Sequence, residues 1–299
     1  MSSNGIFRSG YVGIVGRPNV GKSTLLNSIL KEKVSIVTRK PQTTRHHVLG
    51  VHHVENAQIV FIDTPGMQIK PKQALNHYMN REAMIALNDI DIVLFVVEAL
   101  KWRDEDEHLI KILRDRSIPS VCLVINKTDK IKNKKQLLPF IENIGEKFKF
   151  DVIVPVSAKT NKGLDELEKI ILDVLPERPP FYPDEYFTDR SERFFAAEYL
   201  REKLMNRLSE ELPYQLTITI EEYKNEGNIC HIHACIWVEK EGQKNIVIGK
   251  GGSLLKQIGR EARLDMEKLL ECKVNLKTWV KVKKSWTDSE QALKTFGYD

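Results

Sequence analysis

Eight consecutive residues near the amino terminus have the types and the spacing of a phosphate-binding loop. They follow the pattern G-x-x-x-x-G-K-S and are Gly16, Arg17, Pro18, Asn19, Val20, Gly21, Lys22 and Ser23. Glycines lack a Cβ, so the backbone can approach a phosphate closely and point its N–H groups at the oxygens. The Lys22 ammonium would then neutralise the β- and γ-phosphates, and the Ser23 hydroxyl would bind Mg²⁺.

The segments on both sides of this loop support a nucleotide site. An apolar run over 11–15 has the character of a short strand, and residues from Thr24 to Leu30 have helical spacing. A helix that starts at the loop brings its positive end to the phosphates. The alternative is a glycine-rich turn that matches by chance, and the strand–loop–helix context argues against it.

A second motif, D-x-x-G, follows an apolar strand predicted over 57–62. Its members are Asp63, Thr64, Pro65 and Gly66. In open α/β sheets, ligands bind at the carboxyl ends of the strands, where this motif lies. We expect Asp63 to hold Mg²⁺ through water and the Gly66 N–H to contact the γ-phosphate.

A polar segment over 39–46 lies between these two motifs. In a P-loop GTPase, a mobile segment at this place supplies a threonine to Mg²⁺ and the γ-phosphate. Thr44 is the first candidate and Thr43 the second. The predicted catalytic residues are Lys22, Thr44 and Gly66, and the predicted Mg²⁺ ligands are Ser23, Thr44 and Asp63. Without the phosphate loop, the segment would be interpreted as a basic surface loop.

Two further motifs indicate that the base is guanine. An N-K-x-D sequence follows the apolar strand 120–125, and S-A-K follows the strand 151–156; their residues are Asn126, Lys127, Asp129, Ser157, Ala158 and Lys159. The Asp129 carboxylate can accept two hydrogen bonds from guanine, whereas adenine lacks that pair of donors. Asn126 would support the loop, the Lys127 stem would lie over the base, and the Ala158 N–H would meet guanine O6.

Strands alternate with helical stretches through the first part of the chain, which predicts a mostly parallel α/β sheet with helices on both faces. A proline-rich segment then ends the alternation. We therefore predict a nucleotide domain over 1–176, a linker over 177–190 and a second domain over 191–299, beginning with a helix over 191–211 capped by Ser191. The acidic run 104–107 is interpreted as the solvated start of a helix.

The second domain contains a G-x-x-G loop between an apolar segment and a predicted helix over 253–270. In KH modules, such a loop clamps the backbone of single-stranded nucleic acid. The predicted RNA-binding residues are Ile248, Gly249, Lys250, Gly251, Gly252, Lys281, Lys283 and Lys284, the lysines being placed on a last strand over 273–284. The alternative is a small α+β packing domain with a glycine turn.

Composition restricts the remaining possibilities. No apolar run is long enough for a membrane-spanning helix, and residues 1–10 lack the apolar region of a signal peptide. The four cysteines form no C-x-x-C pair, so reduced thiols in the cytosol are expected. A net charge of +5 mildly favours a polyanionic partner. The histidines at 231 and 233 are interpreted as exposed strand residues rather than metal ligands.

Taken together, the motifs resemble those of the Era family of bacterial GTPases. The resemblance is carried by GRPNVGKST (16–24), QTTRH (42–46), DTPG (63–66), NKTD (126–129), SAK (157–159) and VIGKGG (247–252). It implies a Ras-like GTPase domain joined to a type II KH domain. It also implies binding to the 3′ region of small-subunit (16S) ribosomal RNA, a role in subunit assembly coupled to growth control, and peripheral attachment to the cytoplasmic face of the cell membrane. A monomer is expected.

The residue directly after D-x-x-G affects the rate of hydrolysis that we expect. Ras-type enzymes have a glutamine directly after D-x-x-G to orient the attacking water, whereas this chain has Met67. We expect slow intrinsic hydrolysis, with charge stabilised by Lys22, Mg²⁺ and a candidate K⁺ ion at Asn19. Two other functions stay open: an RNA-binding assembly factor whose nucleotide is structural, and a membrane-associated signalling GTPase whose second domain binds protein.

Overall fold

The computed structural model describes residues 6–116 and 118–298. Residues 1–5, 117 and 299 lie outside the described ranges. The first half of segment 1–10, in which no signal peptide is predicted, and the outer bounds of the two predicted domains, residues 1 and 299, therefore lie outside them as well. The chain divides into two compact units. Unit 1 contains residues up to 35, 44–71 and 79–189, and unit 2 contains 36–43, 72–78 and the chain from 190 on.

Unit 1 is built on a six-stranded sheet in the order β2-β3-β1-β4-β5-β6. The strands are β1 (Arg8–Val15), β2 (Val48–Val54), β3 (Ala57–Asp63), β4 (Ile92–Glu98), β5 (Ser120–Asn126) and β6 (Val152–Pro155). All neighbouring pairs are parallel except β2 with β3. β2 is absent from the sequence prediction. It is joined to β3 by a turn in which Asn56 adopts a positive φ of 58°, a conformation that asparagine tolerates.

Helices alternate with these strands: α1 (Lys22–Leu30), α2 (Ala74–Ile85), α3 (Asp104–Arg114), α4 (Leu137–Gly145) and α5 (Leu164–Val174). β4 is buried along its whole length, as expected for a central parallel strand covered on both faces. Val93, Phe95 and Val97 pack in one cluster with Leu109 and Ile110 of α3. The predicted parallel α/β sheet is therefore confirmed.

Unit 2 contains a three-stranded sheet with the order β7-β8-β9. Its elements are α6 (Glu192–Arg207), β7 (Thr217–Asn225), β8 (Ile229–Val238), α7 (Glu241–Ile248), α8 (Ser253–Leu270), β9 (Lys273–Val282) and α9 (Glu290–Thr295). Strand β8 pairs antiparallel with β7 and parallel with β9. Leu200 and Leu204 of α6 and Ile258 of α8 form one buried core with Ile232 and Ile236 of β8.

Local boundaries in unit 2 agree with the sequence in some places and differ in others. Ser191 caps α6 by accepting a hydrogen bond from the Phe194 N–H at 3.3 Å. The apolar segment before G-x-x-G is the end of helix α7. β9 ends at Val282, so Lys283 and Lys284 follow the strand rather than lie on it, and α9 is an element that the sequence analysis missed.

Two short segments from the first half of the chain belong to unit 2. In segment 36–43, Ile36 enters the core of unit 2, and the Thr43 carbonyl accepts a hydrogen bond from Arg201 at 2.6 Å. In segment 72–78, the ring of Tyr78 meets that of Tyr298 edge-on at 5.3 Å. Both segments are therefore held by contacts with residues more than a hundred positions away.

The predicted linker 177–190 contains no helix or strand, but several of its residues hydrogen-bond to unit 1. The N–H groups of Phe181 and Tyr182 both donate to Gln58 Oε1, at 2.8 and 3.0 Å. Residues 177–189 belong to unit 1, whereas Arg190 belongs to unit 2. None of the helices within the described ranges has the length and apolar character needed to cross a membrane.

Candidate nucleotide site and RNA loop

The phosphate loop connects β1 to α1 through two positions that only glycine can occupy. A Cβ on Gly16 would lie 2.4 Å from the Val96 carbonyl oxygen, and one on Gly21 would lie 2.4 Å from Asn126 Nδ2. Gly21 also has a φ of 103°. Because α1 begins at Lys22 and its N-cap residue Gly21 has no side chain to cap it, the N–H groups of the first turn remain available for an anion.

Lys22 is held inside the curve of this loop. Its Nζ donates to the carbonyls of Gly16 at 2.9 Å and Arg17 at 3.2 Å. Burial lowers the pKa of the ammonium to about 8, although the charge of Asp63 opposes the shift. The geometry thus aims a buried cation at the position where the loop would hold phosphate oxygens.

Three oxygen-bearing side chains converge next to Lys22. Ser23 Oγ lies 2.7 Å from Asp63 Oδ2 and 2.8 Å from Thr44 Oγ1. Burial raises the pKa of Asp63, while Lys22 and hydrogen bonds from hydroxyl groups lower it. Asp63 Oδ1 is buried and has no hydrogen-bond partner within the described chain. Hydroxyl and carboxylate oxygens are hard ligands, so this set of residues fits Mg²⁺.

The structure brings Thr44, and not Thr43, to this group of oxygens. Thr43 Oγ1 instead bonds to the Lys40 carbonyl at 2.8 Å and to Thr38 Oγ1 at 2.7 Å. These contacts build a local turn in segment 36–43. The geometry therefore favours Thr44 as the metal-binding threonine, and its role stays a prediction.

The D-x-x-G motif lies directly against the phosphate loop. A Cβ on Gly66 would be 2.7 Å from the Pro18 nitrogen, and Thr64 Oγ1 donates to the Ile14 carbonyl at 2.8 Å. Met67 is buried, with 5% of its surface exposed, and packs in the core with Ala83. Its thioether cannot act as the water-orienting glutamine of Ras-type enzymes.

The two predicted base-binding loops are tied to the phosphate loop by Asn126. Its Nδ2 donates to the Val20 carbonyl at 2.9 Å, and its Oδ1 accepts from the N–H groups of Lys127 and Ala158 at 2.7 and 3.0 Å. The Ala158 N–H, predicted to meet guanine O6, is thus paired with Asn126 in this structure. Ser157 Oγ donates to Asp129 Oδ1 at 2.7 Å, which orients the carboxylate. Lys159 is exposed.

Sequence reasoning missed two acidic residues beside this site. Asp106 is fully buried and accepts from Arg17 Nε at 3.1 Å and from the Arg103 N–H at 3.0 Å. The interpretation of 104–107 as a solvated helix start is therefore wrong for Asp106. Glu98, at the end of β4, accepts from the ammonium groups of Lys127 and Lys101. Its position as the last residue of an apolar strand was the available signal.

The G-x-x-G sequence forms an exposed turn between α7 and α8 in unit 2. A Cβ on Gly249 would lie 2.7 Å from Leu254 Cβ, whereas the space around Gly251 and Gly252 is open. Both of these residues have positive φ, 59° and 76°. Lys250 is exposed, and α8 starts without a side-chain cap. Backbone N–H groups are thus presented at the surface together with one cation.

Known families and proteins match this chain along its length. The family model of the 50S ribosome-binding GTPase matches residues 11–127, and the KH domain model matches 211–287. GTPase Era of Pseudomonas aeruginosa is 52% identical over 97% of this chain and 95% of its own length. The chain belongs to the GTPase Era family. Era of Pasteurella multocida is 51% identical over 97% of this chain and 94% of its own length.

Solved Era structures have the same fold. A crystal structure of Era with MgGDPNP and nucleotides 1506–1542 of 16S ribosomal RNA is 43% identical, with a TM-score of 0.94 over 98% of this chain and 99% of that one. An Aquifex aeolicus Era variant bound to GDP and AlF₄⁻ gives the same identity, TM-score and coverage. The prediction of a P-loop GTPase with a carboxyl-terminal KH domain, of the Era family, is confirmed.

Proposed function

We propose that this chain is a GTP-hydrolysing switch that binds the 3′ region of 16S ribosomal RNA during assembly of the small ribosomal subunit. The observation that carries the proposal is its full-length similarity, at 43% identity, to Era crystallised with MgGDPNP and this RNA. The phosphate loop, the guanine motifs and G-x-x-G supply the matching chemistry in this chain. Coupling to growth control is part of the proposal on the ground of the family resemblance.

In the nucleotide site, the residues of this chain act mainly by positioning and charge. Lys22 and the N–H groups at the start of α1 bind the β- and γ-phosphates, while Asp129 selects guanine. Bound Mg²⁺ neutralises charge on the β- and γ-phosphates, and Ser23, Thr44 and Asp63 are the residues that would hold it. Because Met67 supplies no hydrogen bond to the attacking water, hydrolysis is slow without further assistance.

The boundary between the two compact units, which falls between Thr43 and Thr44, supports nucleotide-dependent RNA binding. Thr44 lies in unit 1, yet the residue before it, Thr43, belongs to unit 2 and is bonded to Arg201. A change in the position of Thr44 between GTP and GDP therefore passes along one peptide bond to a segment packed in the unit that carries G-x-x-G. A ligand shifts such an equilibrium by its differential affinity for the two states.

The test is the affinity for a short RNA from the 3′ end of 16S ribosomal RNA, measured with a GTP analogue and with GDP. We expect tighter binding with the analogue and its loss when Lys250 and Gly251 are both replaced by Asp. Equal binding in the two states would remove the switch and favour an assembly factor with a structural nucleotide. No binding in either state would overturn the RNA assignment and favour the membrane-associated signalling GTPase.

We propose three finer properties of the same protein. K⁺ assists hydrolysis through Asn19, so wild type would hydrolyse GTP faster in KCl than in NaCl, and Asn19→Ala would remove that difference.

The protein is cytoplasmic, and a fraction of its molecules associates with the cytoplasmic face of the membrane, which sedimentation with anionic vesicles checks. It is a monomer, which light scattering checks. Equal rates in both salts would exclude the ion, and pelleting unaffected by vesicles would exclude the membrane association.

A further inference from the structure

Strand β9 presents an unusual row of side chains on its outward face. β9 is an edge strand of the unit 2 sheet, and its residues alternate between exposed positions and buried or half-buried ones. The exposed positions are Lys273, Asn275, Lys277, Trp279 and Lys281, and Lys283 follows the strand. We call these six residues the β9 row. β9 itself contains no acidic residue.

The inward residues of β9 show which face this is. Val274 and Val280 are buried in the core with Ile258 and Met266 of α8. The helices of unit 2 therefore cover the inward face, and the β9 row lies on the opposite face. G-x-x-G lies between helices α7 and α8. The β9 row, which includes Lys281 and Lys283 of the predicted RNA-binding set, therefore belongs to a different face of the unit from G-x-x-G.

Trp279 is the central residue of the row. Its side chain is a large apolar group, yet the residue is 42% exposed. The His233 ring on neighbouring β8 meets the indole edge-on, with ring centres 5.3 Å apart, and His233 is itself paired with Glu222 at 2.7 Å. The indole is thus supported from one side and open on the other, an arrangement suited to stacking of a flat ring.

Cations flank this indole along the strand. Alternate residues of a strand are about 6.6 Å apart, twice the rise of about 3.3 Å per residue, which places Lys277 and Lys281 one such step on either side of Trp279. Lys281 bonds to Glu221 at 2.6 Å and lies over the Trp237 ring. Glu221 and Glu222 lie on β7 at the other edge of the sheet, but their carboxylates reach Lys281 and His233. Lys277 is therefore the cation beside Trp279 that has no ion pair among the described residues.

We propose that the β9 row is a second RNA-binding surface, on which a nucleobase stacks on Trp279 while Lys277 and neighbouring lysines bind the flanking phosphates. Exposed aromatics on a sheet face, bordered by cations, recognise single-stranded nucleic acid in this way. The inference rests on the proposed function, because it takes RNA as the partner. It extends the bound RNA beyond the segment held by G-x-x-G.

The experiment uses the full-length protein with oligouridylate and with the 3′ RNA, and it compares three variants. Lys277→Gln with Trp279→Ala removes both contacts, Trp279→Phe keeps a stacking ring, and Lys224→Gln removes an exposed lysine of β7 as a matched control. We expect the first variant to bind 3′ RNA about 5- to 150-fold more weakly, the range for loss of one stacked base. The other two variants should bind like wild type.

Two further measurements separate this surface from the clamp. Replacing Lys277 should reduce the slope of log affinity against log salt by about 0.7, as expected for one phosphate contact on a single strand. In the variant with Lys250 and Gly251 replaced by Asp, oligouridylate should still quench the fluorescence of Trp279, identified by difference from Trp279→Phe.

If the variant with Lys277→Gln and Trp279→Ala binds RNA as tightly as wild type, the β9 row is not an RNA-binding surface, and the proposed function is unaffected. Loss of all RNA binding on disabling G-x-x-G, including the Trp279 quenching, would do the same. Binding that depends on Lys277 but not on Trp279, and that heparin reproduces, would replace the RNA surface with a general polyanion surface. If wild type binds neither RNA, the proposed function fails together with the inference.

Discussion

Arg17 Nε donates a hydrogen bond to Asp106 Oδ2 over 3.1 Å, and both side chains are buried. Arg17 is the second residue of the phosphate loop, and Asp106 lies in the first turn of α3. The loop is thus fixed from outside by a residue that lies in none of the nucleotide-binding motifs. The first two predictions follow from this ion pair.

Asp106→Asn should loosen the phosphate loop. Because the Asp106 carboxyl would no longer accept the hydrogen bonds of the buried Arg17 Nε and of the Arg103 N–H, the free energy of unfolding below about pH 6 should fall by about 1–3 kcal/mol. GDP should dissociate several-fold faster, which a fluorescent GDP analogue measures. The matched control is Glu107→Gln on the same helix, whose bond to Lys147 is partly exposed, with an expected change below about 1 kcal/mol. Equal effects of both substitutions would contradict the prediction.

The same carboxyl should give stability a defined pH dependence. Burial raises the pKa of Asp106 from 3.8 to about 6, against the opposing charge of Arg17. The folded state therefore keeps this proton to higher pH than the unfolded state. The contribution to stability is fully present below about pH 4 and is lost as the pH rises through about 6. The difference in free energy of unfolding between wild type and Asp106→Asn should fall across this window. A constant difference would contradict the assignment.

Glu98→Gln should weaken nucleotide binding, although Glu98 lies in none of the nucleotide-binding motifs. Burial would raise the pKa of Glu98, but hydrogen bonds from Lys101 and Lys127 lower it to about 2. Lys127 also donates to the Asn19 carbonyl, so Glu98 helps to hold the N-K-x-D loop against the phosphate loop. We expect about tenfold weaker binding of GDP and GTP alike, for a loss of about 1.4 kcal/mol. Titration calorimetry measures both affinities, and a loss of affinity confined to GTP would contradict the prediction.

Substitutions at positions 43 and 44 distinguish the two candidate threonines. Thr44→Ala removes a hydroxyl that lies 2.8 Å from Ser23 Oγ, so hydrolysis should slow by about ten- to a hundredfold. Thr43→Ala removes only contacts within the 38–43 turn, and hydrolysis should change by less than about twofold. Single-turnover hydrolysis at several Mg²⁺ concentrations measures both, and GDP affinity serves as the control. The reverse ranking would assign the role to Thr43.

Motifs that follow buried parallel strands were predictable, because the chain places them at one edge of a sheet whatever the details of packing. Asn126 and Asp63 are examples. Asp106 was not predictable, since an acidic residue in the first turn of a helix is usually solvated, and only the fold brings Arg17 to it. β2 was missed because its histidines, His52 and His53, obscure the alternation expected of a strand.

Metal-site geometry was only partly predictable from the sequence. The sequence analysis ranks Thr44 before Thr43, but what separates the two residues in the structure is the direction that each side chain takes from an irregular backbone. That direction depends on Lys40 and Thr38 for one residue and on Ser23 for the other. Contacts of this kind have no periodicity, so hydrophobic patterning gives no information about them.

The membership of segments 36–43 and 72–78 in unit 2 affects how this protein can be taken apart. A truncation at residue 190 would leave both segments attached to unit 1 without Arg201 and Tyr298, which contact them. The excised carboxyl-terminal piece would lack Ile36, which fills part of its core. The proline-rich stretch is therefore a poor site for making fragments. A chimaera that exchanges KH modules between relatives would need to transplant three separate pieces of sequence.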